Sequence, residues 1–395
     1  MSSELLRCQS LNSNKTYKIL SAEFNCAEHF LECECPSLQS NADIAGIGVV
    51  IAFVVSASLT LILTVMCLLL SRRSDTDILN PIDRFARRNL CRPVQEWIGK
   101  ERSKKLSYVL YDMVVCLSDQ QLVTGIALLV AAIKLLNDST IVVYHFSIAM
   151  DLIWFSSNTH LLSLIVVRSF KKSMKPNHLN ENRTQTKKSM KRYPLVYRVT
   201  LMSILALMLL YACWIEGYVG WGGDSFNCPA KCTIPYEKGG ENLQWAIANI
   251  TFIILDYSVT FALLSTSLRG YWLDHLRPRL LRDRSASGKP SRKVNHLAKK
   301  TFAVFLYFFV SETFEVLFQI IWHILGYISL FSDRNLGHSL MSQQQIEEED
   351  SLGFGQLVPI VLLALLILQL LEYFDASKLR FTDKRSTVLN DKRNK

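Results

Sequence analysis

The stretch 44–70, IAGIGVVIAFVVSASLTLILTVMCLLL, runs for 27 residues without one charge. As a helix rising about 1.5 Å per residue it outreaches the roughly 30 Å of hydrocarbon in a bilayer. Lipid offers no partner to a backbone amide, so a spanning segment is either a helix or a strand of a closed barrel, and a barrel strand takes only about 9–11 residues. Six further stretches read the same way, at 118–136, 140–167, 197–219, 243–266, 301–325 and 355–373. The expected fold is all-α, a polytopic bundle of seven transmembrane helices over 44–373. Residues 1–43 form a Cys-containing segment before it, and 374–395 a basic tail after it.

The composition agrees. Half of the 395 residues are hydrophobic and a fifth are charged, a departure from the soluble average toward membrane proteins. Lys and Arg set the orientation. Segments 72–117, 168–198, 267–300 and 374–395 hold 10, 10, 10 and 7 basic residues, against 7 in all the rest. The alternation places the N-terminus outside or in a lumen and the C-terminus in the cytosol. The net charge of +10 then reflects this bias and an attraction to anionic lipid, with no nucleic-acid partner required. Residues 1–43 lack the basic-then-apolar pattern of a cleaved signal peptide, so 44–70 is expected to act as the targeting signal and stay in place.

Cysteines follow the same topology. Cys8, Cys26, Cys33, Cys35, Cys228 and Cys232 fall on the oxidising side and suit disulfides, whereas Cys67, Cys91, Cys116 and Cys213 are expected to be free thiols. No His set accompanies Cys33-Glu34-Cys35 or the Cys228/Cys232 pair, so no metal is expected. Asn14-Lys15-Thr16 is a glycosylation sequon on the outer side.

Three connecting stretches have local readings. Residues 79–97 mix Ile82, Phe85, Leu90 and Trp97 with Arg84, Arg87, Arg88 and Arg92, the makeup of a helix lying against lipid headgroups. Ser118 with Gln121 three residues on reads as a capping box that starts the second span, with Asp119 complementing the helix dipole. The run Glu347 to Asp350 reads as a solvated loop.

Polar groups within the spans point to a site. A charge at mid-bilayer costs roughly 2.5–3.5 kcal/mol, so such groups face a cavity or one another. Phe308, Glu312, Glu315, Gln319 and His323 recur at helical spacing on one face of the sixth span, as do Ser147, Asp151, Trp154 and Asn158 on the third. Asn249, Asp256 and Thr260 mark the fifth. Three stripes facing a common interior would enclose a cavity lined by Asp151, Asp256, Glu312 and Glu315. Two carboxyls one turn apart cannot both ionise cheaply, so one of Glu312 and Glu315 is expected to hold a proton at neutral pH. Trp154, Phe155, Tyr257, Tyr307, Phe308, Phe309 and Trp322 lie near these stripes and would offer aromatic faces able to stabilise a carbocation. His145 and His160 read as bonds to a neighbouring helix.

The stretches SDQQLVTG at 118–125, Tyr144-His145 and DLIWFSSNTH at 151–160 resemble a group of fungal seven-span integral membrane proteins, most closely through the second to sixth spans. Some similar proteins are membrane-bound terpene cyclases of the ascochlorin and macrophorin type. The resemblance implies an amphiphilic prenylated substrate arriving from the bilayer. It also implies a carboxylic acid, Glu312 or Glu315 first and Asp256 or Asp151 next, that protonates a terminal epoxide or alkene. Trp154, Asn158, Tyr257, Phe308, Gln319 and His323 would line the substrate cavity. No diphosphate leaves in such a reaction, so no Mg²⁺ or other cofactor is expected, and no span carries an Asp-Asp-x-x-Asp pattern.

A receptor and a proton-coupled transporter are the rival classes. The third span ends Val166-Val167-Arg168-Ser169-Phe170 without the acidic-Arg-Tyr triplet of rhodopsin-like receptors, and the seventh ends without Asn-Pro-x-x-Tyr. The absence of an internal repeat argues against the transporter. The endoplasmic reticulum and the plasma membrane both suit the chain, and its oligomeric state is left open.

Overall fold

The computed structural model describes residues 37–71, 81–173, 192–217, 226–233, 241–264, 308, 311–353, 360–361 and 364. These are almost entirely helical: α1 Ile47–Leu70, α2 Pro81–Ala86, a π turn Arg87–Cys91, α3 Arg92–Ile98, α4 Lys100–Asn137, α5 Val143–Ser173, α6 Arg192–Glu216, α7 Ala230–Thr233, α8 Glu241–Leu264, α9 Glu312–Ser339 and α10 Gln343–Asp350. Six of them, α1, α4, α5, α6, α8 and α9, are long and apolar enough to cross a membrane, as befits a multi-pass membrane protein. The expected seventh span lies almost wholly outside the described residues, as do Asn14 and the four cysteines before Asn41.

Helix α5 is the hub. Nearly every residue from Val143 to Phe170 is buried, because α1, α4, α6, α8 and α9 all pack on it. Around it α9, α1, α4, α6 and α8 follow one another as neighbours, while α8 and α9 meet through long side chains rather than close backbones. Small residues allow the closest approaches. α1 buries Gly48, Ala52, Ser56 and Thr60 at four-residue steps, the pattern by which membrane helices bring their backbones together. A Cβ added at Gly125 of α4 would overlap the Ser156 hydroxyl of α5.

The second span departs from its expected start. Ser118 lies in the middle of α4, a continuous helix of 38 residues that begins where Gly99, at φ +91°, turns the chain out of α3. The residues read as a capping box bond to other helices instead. Ser118 Oγ lies 2.9 Å from His160 Nδ1 and donates to Ser163, Gln121 donates to the Phe53 carbonyl and to Ser56, and Asp119 takes a two-pronged pair from Arg198 at 2.6 Å. Ser-x-x-Gln serves a helix start only where backbone amides lack partners, and here the preceding turns of α4 supply them. His160, with no exposed surface, bonds the neighbouring α4 as expected.

A capping box does occur, at Ser342 and Gln345, and it starts α10. The acidic run is therefore a helix rather than a solvated loop. Glu349 has no exposed surface: Tyr144 Oη donates to it at 2.9 Å, His338 Nε2 lies at 2.9 Å and His145 Nε2 at 3.4 Å. A Cβ at Gly337 would collide with the Tyr144 ring, so glycine there makes room for this contact. Segment 226–230 closes the same end, accepting the Val143 and Tyr144 amides and so satisfying the first turn of α5. Cys228 in that segment is disulfide-bonded, and Cys67, Cys91, Cys116 and Cys213 are in the thiol form.

Burial alone would raise the Glu349 carboxyl, but its contacts with His145, Tyr144 and His338 hold it below its ordinary value of 4.5. A depressed folded value means that the carboxylate stabilises the fold above pH 4.5 and that the contribution is lost as the pH falls through the folded value. Glu349→Gln should cost about 1–3 kcal/mol at pH 7. It should also flatten the acid limb of stability, so thermal unfolding in detergent between pH 3 and 7 ought to separate the two proteins at neutral pH and bring them together at the acid end. Parallel curves would show that Glu349 is not the group that titrates.

The stretch read as an interfacial helix is helical from Pro81 to Trp97, with Phe85, Leu90 and Trp97 strongly exposed beside the arginines. Of the sixth span, most of 301–310 lies outside the described residues, and α9 runs from Glu312 past residue 325, to Ser339. Its start is fixed from outside: Asp83 of α2 accepts from the Ser311 hydroxyl and from the amides of Glu312 and Thr313, while Ser311 Oγ accepts from Phe314 N. Carboxylate and hydroxyl together occupy the free N–H groups of the first turn.

Candidate functional site

The cleft lies where the ring of helices around α5 is loosest, between α8 and α9. It is narrow: a water-sized body can reach about 20 Å³ of it, within about 330 Å³ of atom-free space that includes open solvent at its mouth. α5 contributes Trp154, Ser157, Asn158 and Leu161; α8 contributes Phe252, Ile253, Asp256 and Tyr257; α9 contributes Phe318, Gln319 and Trp322. Each set recurs at three- and four-residue steps, so each is one helix face.

The walls are aromatic. The Trp322 ring lies 5.1 Å from Trp154 and 4.8 Å from Phe252, both edge to face, and Phe252 lies 5.6 Å from Phe318. These separations suit ring quadrupoles meeting edge to face. Tyr257 Oη and Ser157 Oγ are 2.9 Å apart.

The polar floor is built on Gln319. Its Nε2 donates to Asp256 Oδ2 at 2.5 Å and its backbone carbonyl accepts from Asn158 Nδ2 at 3.2 Å. One turn further along both helices, Thr260 donates to Glu315 Oε1 at 3.1 Å. Glu315 is also held by Arg168 Nη2 at 2.6 Å, and Glu312 Oε1 lies 3.6 Å from Arg168 Nε. Glu312 and Glu315 are therefore not an isolated acidic pair, because a buried guanidinium from α5 stands between them. Sequence reasoning counted Arg168 among the loop cations and missed this. The signal was present, since Asp151, Trp154, Asn158, Leu161, Ile165 and Arg168 continue one stripe at steps of three and four.

The four expected carboxyls do not share one cavity. Asp256 lines the cleft, Glu312 and Glu315 belong to the Arg168 cluster, and Asp151 lies toward the disulfide-bearing end. There it interacts with Asp333 of α9 and Glu216 of α6, and Asp151 Oδ2 and Asp333 Oδ2 have no hydrogen-bond partner. Arg334, next to Asp333, turns instead to the Ala45 carbonyl and to Asp350. Among the six expected cavity residues, Trp154, Asn158, Tyr257 and Gln319 line the cleft. His323 faces α1, with Nε2 at 3.2 Å from Ser58 Oγ, and Phe308 packs on Phe314. Among the described residues no group of His, Cys, Asp and Glu is arranged to hold a metal.

No family model and no solved structure matches the chain. A stretch of 151 residues is 32% identical to the Elsinochromes biosynthesis cluster protein HP3 of Elsinoe fawcettii, which is 38% of this chain. The match spans about half (55%) of that relative's length.

Proposed function

We propose that the chain serves fungal secondary metabolism from within a membrane, with the disulfide-bearing end in the lumen and Asn14 glycosylated. In this reading the α5/α8/α9 cleft binds a prenylated amphiphile and cyclises it. What carries the reading is a carboxyl, Asp256, set in an aromatic cleft that opens on one side between two apolar helices. The relative from a biosynthesis cluster supports the pathway class.

The step balances without a cofactor. The Asp256 carboxyl gives its proton to a terminal epoxide oxygen, and the C–O bond opens as an alkene π bond attacks the carbon and forms the ring. Faces of Trp154, Phe252 and Trp322 stabilise the travelling cation, whose last proton leaves to water or to the Asp256 carboxylate. Substrate and product then have equal mass.

Yeast microsomes bearing the chain, supplied with prenylated phenols and their terminal epoxides, should yield a cyclised isomer. Recovery of intact substrate by a folded, Asn14-glycosylated protein would move the weight to a second reading, a receptor or proton-coupled transporter. One observation favours that alternative: Arg168, Glu315 and Thr260 tie α5, α8 and α9 together through a buried contact that a conformational change would have to break.

A further inference from the structure

Asn158 carries a polar atom that the protein leaves unused. The residue is 4% exposed and lines the cleft, and its Oδ1 is buried with no hydrogen-bond partner. The orientation of the amide is not arbitrary. Its nitrogen faces the Gln319 carbonyl at 3.2 Å, an acceptor that only the NH₂ end can satisfy, so the oxygen is committed to the other direction. A buried carbonyl oxygen without a donor is costly, and such oxygens in proteins are nearly always bonded to something. The cleft has room beside it for a group the size of a water or a hydroxyl.

We propose that Asn158 Oδ1 is the acceptor for a hydroxyl on the ligand, so that the site selects an amphiphile with a free phenolic or alcoholic head and rejects its ether. This rests on the reading that the cleft holds a ligand, and it names the ligand's polar end. The rings of Trp154, Phe252 and Trp322 then cover the apolar body. Gln319 bonds both Asn158 and Asp256, so the anchored head and the proposed acid are neighbours. A chain bound by its head at one and reacting at the other must curl, which is the shape that ring closure requires. Asn158 is a specificity-determining residue in this scheme, with no part in proton transfer.

The test is calorimetric binding of 4-farnesylphenol and of its O-methyl ether to the purified full chain in nanodiscs. Wild type should bind the phenol at least about tenfold more tightly, since a site built to bond a hydroxyl rejects the analogue that leaves its acceptor unpaired. Asn158→Leu should bind both compounds alike, the ether no more weakly than wild type does. Equal binding of the two by wild type, binding of neither, or a preference retained in Asn158→Leu would overturn the proposal. Where the leucine variant does not fold, Asn158→Ala takes its place in the same comparison. Discrimination without any cyclised product would remove the cyclase reading and leave the anchor standing, and cyclisation without discrimination would do the reverse.

Discussion

Arg168→Leu is expected to lower the stability of the bundle by about 3–5 kcal/mol, the cost of leaving a buried carboxylate without its cation. Arg168 and Glu315 are 4% and 5% exposed and 2.6 Å apart, with Glu312 next to them, so water cannot replace the lost guanidinium. The desolvation already incurred by Glu315 would then be opposed by Thr260 alone. Thermal unfolding in detergent should show a loss on the order of 10 °C. The informative partner is Arg168→Leu with Glu315→Leu. A buried ion pair replaced by apolar side chains is often neutral, so the double variant should recover most of the loss. A single variant as stable as wild type would mean that the pair is solvated. A double variant no better than the single one would mean that Arg168 acts through contacts other than Glu315.

The pair also shows what a sequence conveys and what it withholds. Span length is a one-dimensional quantity, and six helices of membrane length overlap the runs that predict them, although α4 starts well before its run and α9 ends well after its own. Periodicity is nearly as direct: the stripe through Trp154 and Asn158 and the Asp256 stripe do face one cleft. What a stripe does not give is depth. Asp151 and Arg168 share a face of α5 but stand 17 residues, or about 26 Å, apart along its axis, so one faces Asp333 and Glu216 and the other Glu315. Four carboxyls on converging faces therefore fell into three separate groups.

Motif chemistry was ambiguous for a different reason. Ser118-x-x-Gln121 and Ser342-x-x-Gln345 have the same local spelling, yet only the second caps a helix. The difference lies in what precedes each. Gly99 starts α4 five turns earlier and leaves Ser118 to bond His160 on α5, whereas Ser342 follows the end of α9 at once. The two stretches 118–125 and 151–160 turn out to meet, through Ser118 with His160, Gln121 with Ser156, and Gly125 against Ser156. Much of this motif pair is helix-to-helix packing, while Trp154, Ser157 and Asn158 turn from it into the cleft.

Asp256→Asn should reduce cyclisation by about 10²–10⁴-fold, the range that a positioned general acid contributes. The substitution is nearly isosteric, and an amide oxygen can still accept from Gln319 Nε2, so the floor of the cleft and the Asn158 bond to the Gln319 carbonyl should persist. The fall therefore belongs in turnover, with substrate binding little changed, because the variant keeps the shape of the site and removes only the transferable proton. Glu315→Gln tests the competing assignment of the acid. Glu315 lies one helical turn beyond Gln319, bound to Arg168 and Thr260 and outside the residues that line the cleft, so its amide variant should lose stability more than turnover. Product formation by the two variants under saturating substrate, with unfolding temperature measured beside it, separates the roles. Full activity in Asp256→Asn together with a collapse in Glu315→Gln would move the acid one turn along α9 and make the Arg168 cluster the reactive centre.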